Sequence, residues 1–287
     1  MREKTDPVLV VSEAFLRRFG SDCGKRLPDV VRDLGLDVVY QLAESYDGAL
    51  LRIKGVPRGY VVINSGIREK ARQRFTLAHE VGHFLLPGQQ ELTSPCTKEK
   101  IENWDEELHR PELEANRFAA EILMPRELIS TYLRAEPTMG SVRSIAGACG
   151  TSLTASAFRL VMLTSFRAAV VWSQRKRVRW YKPSDDFIRW VRKGELSDDT
   201  FAADCFRGRA VPDQLEPVPA GAWLFEKGLR DDARVWEHSV ALPSYEAVLS
   251  LLVMREPVEA QDDSAPAEEE LDPNEFTLNR KRWPSKR

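Results

Sequence analysis

Cysteine is scarce in this chain: Cys23, Cys96, Cys149 and Cys205 are all there is in 287 residues, scattered and without a CxxC pair. That excludes a disulfide-dense framework and, with no signal peptide in view, points to a reducing cytoplasm. Long apolar runs are missing too. Arg167 interrupts the best stretch, Leu160 to Trp172, so none approaches a membrane span. A formal net charge of -2 makes no global case for nucleic acid or an anionic membrane as partner. There is no internal repeat. What is present is 43% hydrophobic residues, enough to bury a substantial core in about two domains.

Histidine is equally sparse, with four in the chain, yet two of them fall in His79-Glu80-Val81-Gly82-His83. Residues four apart on a helix share a face, so both imidazoles can grip one metal ion, with Glu80 between them to accept a proton from water. Phe75, His79, Gly82, His83 and Leu86 recur at helical spacing, and Leu77, Val81, Phe84 and Leu85 add further apolar sides. Pro87-Gly88 stops the helix. A buried helix gives a metal site the rigid support it needs.

A second helix is predicted from Pro111, suited to a first turn, to Pro125, which closes the run. Its small residues Ala115, Ala119 and Ala120 permit close approach to a neighbour. Glu112 and Asn116 share a face and Glu114 points elsewhere, but spacing alone leaves Glu114 open as a rival third ligand. The stretches RFTLAHEVGHFLL (74–86) and ELEANRFAAEILMP (112–125) resemble the ImmA/IrrE family of metallo-endopeptidases, zincins of the gluzincin type. The resemblance is strongest over residues 25–135. It implies His79, His83 and Glu112 as metal ligands, Glu80 as general base, and Asn116 as a partner orienting the site. Zinc is the implied metal, and the same ligands accept manganese or iron. For the oxyanion, His109, Arg74 and Tyr60 are candidates, each better read as structural or solvent-facing. The implied role is site-specific cleavage of a helix-turn-helix transcriptional repressor, releasing a stress, mobile-element or phage response. The competing expectation is a non-proteolytic regulator that binds a repressor or DNA and keeps a structural or vestigial zinc site. An intact Glu80 argues against it. A degradative peptidase of broad specificity fits poorly with so long a non-catalytic half.

The expected fold is α+β, with a zincin-like core over residues 1–135. Helices at Pro7 to Phe19 and Leu27 to Leu34 precede short strands at Leu36 to Gln41, Ala49 to Lys54 and Tyr60 to Asn64. An edge of that small sheet beside the site suits an extended peptide. Lys98 to His109 reads as a charged surface loop. Over 136–165, Ala146 and Gly150 have helix-turn-helix spacing, but Ser156 and Arg159 stand where such motifs bury aliphatics. Leu153, Ala157, Leu160 and Val161 form the apolar stripe instead, so this segment is expected to be a scaffold, with DNA binding the lesser expectation. Residues 166–255 read as a small α+β regulatory or recruiting module. Its strands are expected at Ala168 to Trp172, Val178 to Tyr181, Ala222 to Phe225 and Val235 to Leu242, with helices near Asp186 to Lys193 and Tyr245 to Val253. The basic run Arg175 to Lys182 is expected to be a solvent face before a phosphate-binding one. Residues 256–287, acidic and then basic around Trp283, read as a disordered tail.

Overall fold

The computed structural model describes residues 6–52, 58–89, 110–225 and 229–255. Helix α1 (Pro7–Phe19) starts where the Asp6 carboxylate accepts the Val8 N–H at 3.0 Å, with proline in the first turn. Helix α2 (Leu27–Asp33) follows, then β1 (Leu36–Gln41), β2 (Gly48–Arg52) and β3 (Gly59–Asn64). The sheet order is β1-β3-β2, with β1 parallel and β2 antiparallel to β3. Asn64 pins the connection into β2: its side chain accepts the Ala43 N–H and donates to the carbonyls of Ala43 and Tyr46. Both β1 and β2 are edges of this sheet.

Helix α3 (Lys70–Leu85) lies against β2 and against helix α4 (Arg110–Leu123). Gly82 allows the helices to meet closely, since a Cβ there would stand 3.1 Å from Ala115 Cα. After α5 (Arg126–Ile129), helices α6 (Met139–Cys149) and α7 (Leu153–Leu163) bend by 112° at Gly150, which adopts φ 64°. The α7 face is not the simple apolar stripe its sequence suggests. Ser156 and Arg159 are both buried, and Arg159 reaches the Glu121 carboxylate at 2.6 and 2.9 Å and the Met124 carbonyl at 3.1 Å. No single helix among the described residues is long and apolar enough to cross a membrane.

The remaining strands are β4 (Ala168–Gln174), β5 (Arg177–Pro183), β6 (Gly194–Glu195), β7 (Glu216–Pro219), β8 (Arg234–Leu242) and β9 (Ala247–Val253). They form one antiparallel sheet of order β6-β5-β4-β9-β8-β7, joined by the short helices α8 (Phe201–Phe206) and α9 (Ala220–Trp223). Alternate residues of its central strands serve two cores. Val170, Leu249 and Leu251 join the apolar cluster that runs through α1 to α7, whereas Val171, Val248 and Leu252 pack with Phe187 and Trp223 on the opposite face.

Three expectations fail here. The segment read as a helix at Tyr245 to Val253 is β9: every residue of the strand is buried, and a continuous apolar run carries no period to separate strand from helix. Asp186 to Lys193 is irregular, because Phe187 and Val191 fill the second core from a chain that bridges to Leu224. Ala222 to Phe225, expected as a strand, begins as the end of α9. The readings of Lys98 to His109, of residues 53–54 and of the tail lie outside the described residues. The basic run resolves into a hairpin. Arg175 and Lys176 are its turn, at φ 52° and 62°, and Lys182 packs its ammonium 5.8 Å from the Phe158 ring of α7.

Candidate metal centre

His79 and His83 both face α4 from α3, and Glu112 in the first turn of α4 faces back. The two Nε2 atoms lie 3.0 Å apart, and Glu112 Oε2 is 3.1 Å from His79 Nε2 and 3.4 Å from His83 Nε2. All three side chains are buried, and they form the one group of this kind among the described residues suited to hold a metal ion.

The far side of each ring explains why these atoms converge. His79 Nδ1 donates to Asn116 Oδ1 at 2.8 Å, and His83 Nδ1 donates to Gln89 Oε1 at 2.7 Å. The Gln89 amide is oriented by its own donation to Glu114 Oε2 at 2.9 Å. With Nδ1 carrying the proton, each Nε2 presents a lone pair. Two nitrogen lone pairs and a carboxylate oxygen thus point at one buried place, an arrangement that needs a proton or a cation between them. Two imidazoles and one carboxylate are the ligand set of an open zinc site, so the residues present fit a metal. With a shared proton there instead of a cation, burial alone would raise the Glu112 carboxyl, but hydrogen bonds and charge from the His79 and His83 rings hold it well below its ordinary range. Burial disfavours the His83 cation, yet Glu112, Glu80 and Gln89 together raise its pKa.

Glu80 is 1% exposed and sits against β2. A Cβ at Gly48 would stand 2.8 Å from Glu80 Oε1 and 2.4 Å from Thr76 Cγ2, so only glycine lets the edge strand lie this close to α3. Arg52, at the other end of β2, donates to the carbonyls of His83 and Phe84 at 2.8 and 2.9 Å and stacks on the Phe84 ring. A cation at a helix C-terminus opposes the macrodipole and ties the strand to the end of α3.

Of the other sequence candidates, Glu114 turns away from the cluster to Gln89 and Arg110. Arg74 donates to the carbonyls of Cys149 and Gly150, closing α6. Tyr60 is 41% exposed on β3. His109 lies outside the described residues. Sequence reasoning missed Gln89 and Arg52. The one signal for Gln89 is its place directly after the Pro87-Gly88 stop, and nothing distinguishes Arg52 from a surface arginine on a strand.

The family described as the IrrE N-terminal-like domain (Peptidase M78) matches residues 31–161. The radiation response metalloprotease IrrE of Deinococcus deserti is 32% identical over 180 residues, covering 56% of this chain and 59% of that protein. The IrrE of Deinococcus radiodurans is 36% identical over 109 residues, 36% of this chain and 31% of the relative. An uncharacterized immunity region protein 2 of Bacillus phage phi105 is 33% identical over 88 residues, covering 31% of this chain and 52% of its own length. The chain therefore spans between about a third and three fifths of the curated relatives it matches. A Mycobacterium tuberculosis transcriptional regulator shares the fold with a TM-score of 0.51 at 13% identity, over 86% of this chain and 76% of that one. Residues 31–161 of this chain are thus similar to the IrrE N-terminal-like family, and both arms of the His-His-Glu cluster lie within that stretch.

Proposed function

We propose that the chain is a zinc-dependent, site-specific endopeptidase whose substrate is a helix-turn-helix transcriptional repressor. One observation carries the hydrolase: three buried lone-pair donors face a single place, and a fourth buried group, Glu80, stands beside them. His79, His83 and Glu112 would hold the metal, with manganese or iron acceptable to the same donors. Bound there, it would supply Lewis acidity, bringing the pKa of water toward about 7 and polarising a peptide carbonyl. Glu80, buried beside Gly48, takes the proton from the attacking water and returns it to the leaving amine. Asn116 keeps the His79 proton on Nδ1. The outer edge of β2, which pairs with no strand among the described residues, runs past the same place and suits main-chain pairing with an extended peptide.

The substrate class rests on the family and on its relatives, a radiation response metalloprotease and a phage immunity region protein. Direct DNA reading by α7 has little to work with. Arg159 is the helix's lone basic residue, and it is 5% exposed and paired with Glu121. The test is co-expression with helix-turn-helix repressors from the same genome, comparing wild type with Glu80→Ala by intact mass. Discrete fragments from wild type alone support the proposal. An intact repressor in both, with metal bound and a complex formed, would favour the non-proteolytic regulator.

A further inference from the structure

Beyond the cluster itself, a hydrogen-bonded chain continues outward from His83. Gln89 Oε1 accepts the Nδ1 proton of His83 at 2.7 Å, Gln89 Nε2 donates to Glu114 Oε2 at 2.9 Å, and Arg110 Nε donates to Glu114 Oε1 at 2.9 Å. Gln89 is 1% exposed, so its amide cannot exchange these partners for water. It also stands in the irregular backbone after α3, while its anchor Glu114 belongs to α4, so the contact spans the two elements that supply the ligands.

We propose that Gln89 and Glu114 are positioning residues for the metal: Glu114 fixes which end of the Gln89 amide faces His83, and Gln89 thereby fixes the His83 tautomer that offers Nε2 to the site. An amide with neither end held can present either N–H or C=O to the ring. The N–H end would demand the opposite tautomer, with the proton on Nε2 and no lone pair for a metal. The carboxylate of Glu114 removes that choice, since it only accepts. This gives Glu114 a role one step removed from that of the ligand it resembles in sequence. Arg110 is the weakest link, since its side chain is 84% exposed and water can replace it.

The inference rests on the metal-site reading, and the test separates the two. Zinc affinity of the full chain is measured by competition with a chromophoric chelator, alongside 15N spectra of labelled histidine in the zinc-loaded protein. With four histidines in the chain, the assignment is tractable. Gln89→Leu should weaken zinc binding about 10- to 100-fold. Glu114→Ala should fall between that variant and wild type, and Arg110→Ala should stay within about threefold of wild type. The swapped pair Gln89→Glu with Glu114→Gln keeps an acceptor facing His83 and a donor facing that acceptor, so it should return affinity to within about threefold of wild type. In wild type the His83 Nδ1 should read as N–H. A merely structural contact would change the thermal midpoint of the metal-free chain without rescue of zinc affinity by the swap. Wild-type affinity in a folded Gln89→Leu, or a swapped pair as weak as Gln89→Leu, would overturn the inference. No zinc binding by wild type would instead sink the metal-site reading.

Discussion

Glu112 and Glu237 are both buried carboxylates, one in each half of the molecule, and their surroundings are opposite. Around Glu237 every neighbour donates. The backbone N–H groups of Phe201 and Ala202 reach it at 3.1 and 2.7 Å, the Trp223 indole at 2.7 Å and the Ser239 hydroxyl at 2.6 Å. That carboxylate caps α8 and joins it to β8 and α9, and its lone pairs are spent inside the protein. Around Glu112 the facing atoms are ring nitrogens whose protons are engaged elsewhere. The first cluster is complete as built, and the second is complete with a cation. Burial of a carboxylate therefore says little about function; the sign of what faces it says more.

Several variants would break or sharpen that contrast. Glu80→Gln should lower peptide hydrolysis by about 100- to 10,000-fold while the metal stays bound, measured as turnover and metal content on the same sample. Gly48→Ala pushes a methyl into Thr76 and Glu80, and a shift of about 1 Å in the base should cost about 100-fold in turnover, again with metal retained. Glu237→Leu should leave metal content and the chemistry alone but strand several buried donors, at about 1–3 kcal/mol each, which denaturant unfolding would register.

The pH dependence of Glu237 has a definite sign. Burial raises its pKa above the ordinary 4.5, and its hydrogen bonds only partly offset that. Its contribution to stability is thus fully present below about 4.5 and is lost as pH rises through the elevated folded value. Glu237→Gln should flatten that slope in a stability-pH profile. The smallest effect is expected for Arg74→Ala, about 0.5–1.5 kcal/mol from the lost closure of α6, with turnover unchanged. A collapse of turnover there would return Arg74 to the oxyanion candidates.

The two halves also differ in how much the sequence discloses. Strands β1 and β3 and helices α1 and α2 are readable to within a residue or two, because β-branched runs, capping residues and glycine turns mark their ends. The pairing of His79 with His83 is readable because one helical turn of spacing sets both on a single face, whereas Glu112 is implied only by the resemblance. Beyond residue 166 the strands expected at 168–172, 178–181 and 235–242 are present, and local signals mislead only for the segments between and after them. Ala247–Val253 is a central strand buried on both faces, and its pattern of seven apolar or small residues suits a buried helix equally well. Gln89 is invisible for a different reason: its partners His83 and Glu114 meet it only after α3 and α4 have packed. Spacing could not rank Glu112 against Glu114, whereas the fold sets the first beside both rings and the second beside an amide.

The most direct test of this account is the metal content of the purified full chain beside its Glu112→Gln and Glu237→Gln variants, measured by elemental analysis. The account predicts one metal ion per chain in wild type and in Glu237→Gln, and a large loss in Glu112→Gln. A folded wild type that takes up no metal, or a Glu112→Gln variant that holds it as well as wild type, would contradict it.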